Sequence, residues 1–242
     1  MTRVKAGIFS FTPPAPPDDD GSYLRWHLLD HMPEQYQLPG IVLAHRWIAD
    51  RDYPDHRIAA DGPLGEIGNV VNYLVGDPVE RTVDDYMALA RRLAARGRYP
   101  ERRASLGHRM LGLLQARAAP RVLVSDDVVP FRPQRGVVLV VEEPTAGRPD
   151  RWLQWLHTDH VPSVLEVPGT AGAWMYGSTS AWTLPPAVQG GFVYVTVLYL
   201  DDDPVPTAKA LTPLIEQRWE SGDVRPMFAG PLRTMIAWEA WP

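Results

Sequence analysis

The chain has no cysteine and only two lysines, Lys5 and Lys209. Without cysteine it has no thiol nucleophile, no disulfide and no thiolate-held metal or iron–sulfur cluster. With so few lysines, Schiff-base chemistry has few candidates. Side-chain catalysis would therefore have to come from histidine, carboxylates, tyrosine or serine.

Several other signals are also missing from the sequence. It has no long apolar run, no glycine-rich phosphate loop and no GxSxG nucleophile elbow, so it lacks the usual signs of a membrane span, a nucleotide cofactor or a serine hydrolase. The N-terminal segment has no apolar stretch of signal-peptide length, and we predict a cytoplasmic protein. A formal net charge of −5 gives no general attraction for polyanions. We therefore predict neither a nucleic-acid partner nor a membrane partner.

One stretch is present twice, at positions 23–47 and 152–176. The copies read YLRWHLLDHMPEQYQLPGIVLAHRW and WLQWLHTDHVPSVLEVPGTAGAWMY. They align without a gap and share, among other residues, an Asp-His-x-Pro motif and a Pro-Gly motif. Such agreement predicts a chain of two related halves. We place the first half at 1–118, a connector at 119–135 and the second half at 136–242.

Each copy begins as a helix with histidine on its apolar face. In the first copy, His27 and His31 share one face with neighbouring leucines, at the spacing of an α-helix. The second copy keeps the last histidine as His160 but has leucine in place of His27. Pro33 and Pro162 follow two residues later and lack the N–H of a continuing helix, so we predict a kink or a new segment there.

Hydrophobic periodicity predicts the order strand, helix, strand, strand, helix, strand in each half. This is the order of a ferredoxin-like βαββαβ unit, and the predicted fold class is α+β. The last strand is predicted at 232–241. The connector contains the run VLVSDDVV, which is compatible with a short edge strand. A second homology, NYLVGDPV with LYLDDDPV, pairs Tyr73 with Tyr199.

The segments HMPEQYQLPG and HVPSVLEVPG resemble the His-x-Pro helix and Pro-Gly turn of the EthD-like branch of the dimeric α+β barrel superfamily. In that superfamily two ferredoxin-like units dimerise and pack their antiparallel sheets into a barrel. The resemblance therefore implies a monomer that carries both units as a pseudo-dimer. The superfamily includes polyketide cyclases, lactone isomerases, decarboxylases, cofactor-free oxygenases and heme enzymes, so the fold leaves the reaction open.

The resemblance also bears on individual residues. His31 and His160 match the family's helix histidine, and His27 matches the first member of its His-x-x-x-His pair. Because the second half lacks that first histidine, we expect the first cleft to be the active one.

The residues alone leave two interpretations of these histidines. Histidine titrates near neutrality and is the usual proton shuttle, but a buried histidine can equally be a structural residue that hydrogen-bonds to backbone or sheet. His27 and His31 stand one turn apart and could share a metal with a third ligand, although the sequence has no HExxH motif. Heme, which needs one axial histidine, is a further alternative.

We predict a cofactor-independent enzyme without a metal. It would act by acid–base chemistry of the cyclase, isomerase, dehydratase or decarboxylase type on an aromatic or polyketide-like molecule. The predicted catalytic residues are His31, His27 and His160. The alternatives are a cofactor-free or heme-dependent oxygenase and a non-catalytic ligand-binding or stress-response module. The predicted substrate-binding residues are Arg46, Tyr73, Trp26, Trp174, Tyr176 and Tyr199.

Overall fold

The computed structural model describes residues 3–14, 21–99, 105–180 and 191–235. Strands and helices alternate along the chain, so the protein belongs to the α+β class. Through the first half the elements are β1 (Val4–Thr12), α1 (Ser22–Trp26), a π-helical turn (His27–His31), α2 (Met32–Gln35), β2 (Ile41–Ile48), β3 (Ala59–Ala60), β4 (Asn69–Gly76), α3 (Val79–Ala95) and β5 (Gly107–Ala118).

The second half contains a similar series of elements. They are β6 (Gly136–Pro144), α4 (Asp150–Trp155), a second π-helical turn (Leu156–His160), α5 (Val161–Leu165), β7 (Thr170–Gly177), β8 (Tyr194–Leu200), α6 (Pro204–Gln217) and β9 (Val224–Thr234). We call the continuous helix formed by α1, its π-helical turn and α2 the first repeat helix, and the corresponding helix formed by α4, its π-helical turn and α5 the second repeat helix.

The strands form a single antiparallel sheet in which one pattern occurs twice. β1 lies between β4 and β5 while β2 pairs with β4, and likewise β6 lies between β8 and β9 while β7 pairs with β8. The two groups join along β5 and β7 and again where the ends of β2 and β9 meet. Eight strands thus close into a barrel, and β3 pairs with the free side of β9.

Alternating side chains separate the barrel into an interior and two outer layers. Large aromatic residues such as Phe9 and Trp47 pack inside the barrel. Outside it, α3 covers a layer that includes Ile8 and Tyr73. A matching layer around Val138 and Leu198 lies under α6. The spaces between sheet and helices are therefore separate from the barrel interior.

Both repeat helices widen into a π-helical turn just before their proline. The N–H of Met32 bonds to the carbonyl of His27, and that of Val161 bonds to the carbonyl of Leu156, in each case five residues back. Proline lacks a donor and its ring crowds the preceding turn, which a wider turn relieves. The disturbance expected at the prolines is present in both halves.

The Pro-Gly motif fits each repeat helix against the next helix of its half. A Cβ on Gly40 would lie 1.7 Å from Oγ1 of Thr82, and one on Gly169 would lie 3.0 Å from Oγ1 of Thr207. Gly169 also has a φ of +88°, which favours glycine. Both glycines are thus required by close packing against the N-terminal turn of α3 or α6.

One sequence prediction of secondary structure is wrong, and the edge strand that the connector sequence allowed does not form. The last strand begins at Val224 rather than at 232, and residues 236–241 of the predicted strand lie outside the described residues. Its prolines hide the strand pattern, because proline cannot donate to a sheet, but Pro226 lies at a shift in register where this is tolerated. The connector forms a 3-10 helix, Asp126–Phe131, in place of an edge strand.

The predicted pairing of Tyr73 with Tyr199 is also wrong, by one residue. β2 pairs Leu43 with Leu74, and at the same position of the repeat β7 pairs Gly172 with Tyr199. The counterpart of Tyr199 is therefore Leu74. A shift of one residue reverses the face of a strand, so Tyr73 faces the helices whereas Tyr199 faces the barrel interior.

Candidate functional site

A cavity of about 490 Å³ lies between the sheet and the helices of the first half. Its volume is within the usual range for small-molecule sites. Strands β1, β4 and β5 contribute one wall, and the first repeat helix and α3 contribute the others. The described residues around it include Ser10, Thr12, Tyr23, Trp26, His27, His31, Val71, Tyr73, Tyr86, Met87, Ala90, Arg91, Ala94, Tyr99, Ser105 and His108.

His27 and His31 lie together on the helix wall of this cavity. Their ring centroids are 5.1 Å apart, and the His31 ring stacks on Trp26 at 5.1 Å. The amide nitrogen of Gln35 lies 3.5 Å from Nε2 of His31. The helical spacing read from the sequence therefore places both histidines and Trp26 at one site.

Both histidines are neutral at physiological pH. Burial is the main cause, and it lowers the pKa of His27 to about 2 and that of His31 to about 4. The positive charge of Arg46 acts in the same direction on both rings. His31 is the less buried of the two and has the higher pKa, so it is the stronger base.

Arg46 is a buried cation next to the helix wall. Its side chain is 6% exposed and its guanidinium lies 5.3 Å from the ring centroid of Tyr23. It does not line the cavity of about 490 Å³. It lines a separate cavity of about 300 Å³ beside the connector. Arg46 therefore influences the histidines electrostatically from outside the cavity walls.

The sheet and α3 bring Tyr73, Tyr86 and His108 to the same cavity. Oη of Tyr86 lies 3.4 Å from Nε2 of His108, and the rings of Tyr73 and Tyr86 are 5.9 Å apart. The Tyr73 hydroxyl is buried and has no hydrogen-bond partner among the described residues. Burial raises the pKa of both tyrosines and lowers that of His108 to about 4. All three side chains are neutral at pH 7.

Sequence reasoning missed Tyr86 and His108 as site residues. Tyr86 has the helical spacing of a core residue, and His108 lies outside both repeated segments of the sequence. Only the pairing of β5 beside β1 brings His108 under α3. The sequence offered one signal that could have identified His108. It is a histidine at the start of a strand, in the same half as a helix that carries histidines.

His31 also faces a second space. An outer groove of about 590 Å³ shares Trp26 and His31 with the cavity and extends over the ends of the first repeat helix and α3. Glu34 and Arg98 form an ion pair at this groove. His31 thus lies between the groove and the cavity, whereas His27 lines the cavity but not the groove.

The second half repeats part of this arrangement. The His160 ring packs against Trp155 at 5.0 Å, as His31 does against Trp26. His160 is 2% exposed, and neither ring nitrogen has a hydrogen-bond partner in the described part of the chain. Burial, followed by the charge of Arg218, lowers its pKa to about 3. Leu156, at the position of His27, is buried.

A buried ion pair occupies the interior of the second cleft, which leaves a pocket of about 300 Å³ that Arg218 lines together with Trp152 and Trp155. Nε and Nη2 of Arg218 donate to the two carboxylate oxygens of Glu142 at 2.8 and 2.6 Å. Thr196 accepts from Arg218 at 3.0 Å, and Trp219 donates to Glu142 at 2.8 Å. With relative exposures of 1% and 0%, the two charged side chains are shut off from solvent.

The first half has no such pair at the corresponding positions. Through the strand register, Glu142 corresponds to Thr12. Counted from the first residue of each helix, Arg218 corresponds to Leu93. Both places hold uncharged side chains in the first half, where Thr12 lines the cavity and Leu93 lines the surface beside Arg98.

The other aromatic residues predicted to bind substrate lie elsewhere. Trp174, Tyr176 and Tyr199 pack together inside the barrel, with centroid separations of 6.3 and 6.4 Å from Trp174. The indole nitrogen of Trp174 donates to the carbonyl of Asp126. The sheet separates these residues from His31, and their binding of substrate stays a prediction.

Two further properties of the described residues bear on function. No group of three or more histidine and acidic side chains in 3–14, 21–99, 105–180 and 191–235 could hold a metal ion. Over the same ranges, no helix combines the length and apolar composition needed to cross a membrane.

No family model matches the sequence, and no curated protein does. Solved structures do match. One, described as an anthrone oxidase-like protein, has a TM-score of 0.58 and 11% identity, covering 96% of this chain and 92% of that chain. A putative chlorite dismutase has a TM-score of 0.53 and 14% identity, covering 98% of this chain and 96% of that chain. A putative monooxygenase from Fusobacterium nucleatum has a TM-score of 0.55 and 10% identity, covering 98% of this chain and 94% of that chain. The likeness is one of fold. It shows that this chain has the α+β barrel fold of those proteins.

Proposed function

We propose that the protein is a cofactor-independent enzyme that moves a proton on an aromatic or polyketide-like molecule bound in the cavity of the first half. The supporting observation is the neutral, half-buried His31 on the wall of an aromatic-lined cavity of about 490 Å³. Aromatic walls suit flat substrates. A neutral imidazole can accept a proton without first losing one.

The first step would be proton abstraction next to a carbonyl group. An unprotonated ring nitrogen of His31 takes the proton of a C–H bond, and the electron pair of that bond moves to the carbonyl oxygen to give an enolate. The imidazolium then returns the proton to the same carbon or to another position. Return to another position is an isomerisation. If the C–O bond to a neighbouring hydroxyl breaks instead, the proton leaves with that oxygen as water, which is a dehydration. If the enolate carbon attacks a second carbonyl carbon of the same molecule, the oxygen of that carbonyl takes the proton, which is a cyclisation.

The charges around His31 suit such a step. Arg46 and burial make the imidazolium unfavourable in the free protein. A negatively charged enolate beside His31 would offset the charge of Arg46 and stabilise the imidazolium. His31 would thus become a stronger base only as the substrate anion forms. His27, with the lower pKa, would position the substrate or His31.

The repeated strand order supports the wider proposal that the chain is a tandem duplication of ferredoxin-like units, of the EthD-like branch, acting as a monomeric pseudo-dimer. In this proposal the first cleft is catalytic. The second, which holds the pair of Glu142 and Arg218, is structural. His160 belongs to it, so the proposal differs here from the sequence prediction of a catalytic His160, which stays a prediction. We retain a cytoplasmic location as part of the proposal.

A second candidate is a cofactor-free oxygenase. The structural neighbours include an anthrone oxidase-like protein and a putative monooxygenase. An enolate formed by His31 is electron-rich and can reduce dioxygen, so both candidates share their first step. They differ in whether oxygen is consumed afterwards.

Anthrone is a suitable probe, because it is a flat aromatic ketone with an acidic methylene group. Dissolved in heavy water under nitrogen, it should exchange its methylene hydrogens in the presence of the protein, as measured by proton NMR. We expect His31→Ala to slow the exchange about 10²- to 10⁴-fold, the usual contribution of a general base. Circular dichroism of the variant checks its folding.

The matched control is His160→Ala, which removes the corresponding histidine of the second cleft and should leave the exchange rate unchanged. The same reaction under air, followed with an oxygen electrode, separates the two candidates: oxygen uptake that requires His31 favours the oxygenase. Equal exchange by wild type and His31→Ala would refute the role of His31. Binding of anthrone without any exchange would favour a non-catalytic binding module.

A further inference from the structure

The wall of the cavity formed by the sheet and α3 carries polar groups that the role of His31 does not use. Tyr73 and Tyr86 are 2% and 7% exposed, and both line the cavity. Their rings lie 5.9 Å apart. Tyr73 lies on the sheet and Tyr86 on α3, and two tyrosines so close can direct both hydroxyl groups at a single bound atom.

Of the two hydroxyls, that of Tyr73 gives the stronger indication of a ligand. It is buried and has no hydrogen-bond partner among the described residues. An unpaired buried hydroxyl is unfavourable, so its position beside a cavity suits a polar group on a bound ligand. As a phenol that keeps its proton, Tyr73 can donate to an oxygen atom of that ligand.

The Tyr86 hydroxyl is oriented by His108. Nε2 of His108 lies 3.4 Å from Oη of Tyr86, and the rings meet edge to face at 5.9 Å. When this nitrogen carries the hydrogen, it donates to Oη, and the Tyr86 hydrogen is left to point elsewhere. In that tautomer His108 is a positioning residue for the Tyr86 donor.

The charge distribution fits a negative ligand. Arg91 is exposed at the edge of the cavity, and none of the described residues around the cavity is a carboxylate. The outer groove differs, since Asp30 and Glu34 line it. An anion would therefore meet no like charge inside the cavity, although it would at the groove.

We infer that the Tyr73 and Tyr86 hydroxyls, with His108 behind Tyr86, form an oxyanion site that binds the oxygen of a phenolate or enolate. The site deepens and rests on the proposed function, because the enolate generated by His31 places its charge on such an oxygen. The substrate class is an aromatic ketone or phenol whose oxygen reaches the tyrosines while its acidic C–H bond faces His31. Donors fixed in advance at the developing charge are the usual means of stabilising it.

The site is tested by binding, without turnover, with para-nitrophenol as the probe. Its ionised form is yellow, so absorption reports both binding and the charge of the bound probe. At a pH below the probe's own pKa, we expect the wild-type protein to bind it as the phenolate. Tyr73→Phe and Tyr86→Phe should each weaken binding about 10- to 100-fold, since each removes a hydrogen bond to a charged oxygen.

The matched control is Tyr194→Phe, which removes the hydroxyl of a buried tyrosine in the second half and should leave the affinity unchanged. His108→Gln retains a side-chain donor and should keep more of the phenolate colour than His108→Leu. Such a difference is not expected if His108 only fills space. Thermal unfolding of each variant checks that the fold is retained.

Wild-type affinity for the phenolate in both tyrosine variants would overturn the inference, as would binding of the neutral phenol alone or no binding by the wild type. These outcomes are separate from the test of His31. If His31→Ala loses proton exchange and the tyrosine variants bind as wild type, the oxyanion site is wrong and the base assignment stands. The opposite pair of results refutes the base and retains the site.

Discussion

The two clefts of this protein have the same framework and different contents. Each has a repeat helix with a π-helical turn, a tryptophan packed against a histidine, and a glycine fitted against the next helix. In the first half that framework surrounds a cavity of about 490 Å³. In the second it surrounds the buried pair of Glu142 and Arg218. A shared fold therefore does not make the clefts equivalent, and a few side chains decide how large a cavity each one holds.

The comparison also bears on the histidines common to both halves. His160 lies beside an arginine in the second cleft, and His31 lines the larger cavity of the first, yet burial lowers the pKa of both. A depressed pKa is thus a property of the framework. Access to a cavity, together with the facing tyrosines, distinguishes the proposed catalytic site.

The largest effect is expected from breaking the buried ion pair. Arg218→Met leaves Glu142 charged and without its partner, and we expect it to lower the free energy of unfolding by about 3–5 kcal/mol. The double variant Glu142→Leu with Arg218→Met should recover much of this loss. Urea unfolding measures the stability of both variants.

Binding of para-nitrophenol by the first cavity should persist in the double variant, because the pair lies in the other half. A loss of stability below about 1 kcal/mol in Arg218→Met would contradict the claim that the pair holds the second cleft together, since losses of that size are typical of ion pairs on the surface.

A smaller effect is expected from pH. The ordinary pKa of histidine is 6.5, and His160 has a pKa of about 3 in the folded state. As the pH falls, the unfolded chain takes up the proton first. The stability that depends on neutral His160 is present above pH 6.5 and is lost toward pH 3. Between pH 7 and pH 5 this amounts to roughly 2 kcal/mol for this one group.

The variant His160→Gln isolates that contribution. It cannot take up the proton, so its unfolding free energy should fall less than that of the wild type between the two pH values. Urea unfolding at pH 7 and pH 5 gives the difference. Equal losses in both proteins would show that His160 is protonated as easily in the folded state as in the unfolded chain.

The smallest effect is expected at the groove of the first half. Arg98 and Glu34 form an ion pair whose side chains are 55% and 31% exposed. Solvent screens such a pair, and Arg98→Gln should cost about 0–1 kcal/mol in urea unfolding. A loss comparable to that of Arg218→Met would mean that this contact also holds helices together, and the contrast between the halves would weaken.

Much of the site framework could be predicted from local sequence. Helical spacing places His27 and His31 on one face, and the structure brings both to the cavity with Trp26. The prolines and glycines marked the ends of the helix segments. These predictions succeeded because each depends on neighbours along the chain.

The facing of the strands could not be predicted in the same way. The match of Tyr73 with Tyr199 looks convincing in the sequence and is displaced by one residue in the sheet. Such a shift sends one tyrosine to the cavity and the other into the barrel. Strand register depends on the partner strand, which the local pattern does not contain.

The sequence by itself determined a duplicated pattern, the α+β class and the helix histidines, because periodicity and backbone chemistry act over a few residues. Tertiary structure alone decided that β5 brings His108 to Tyr86 and that Glu142 meets Arg218 across 76 positions of the chain. The size of the cavity in each cleft depends on those contacts. Contacts between distant residues form when strands pair and helices pack over them, and no local pattern records them.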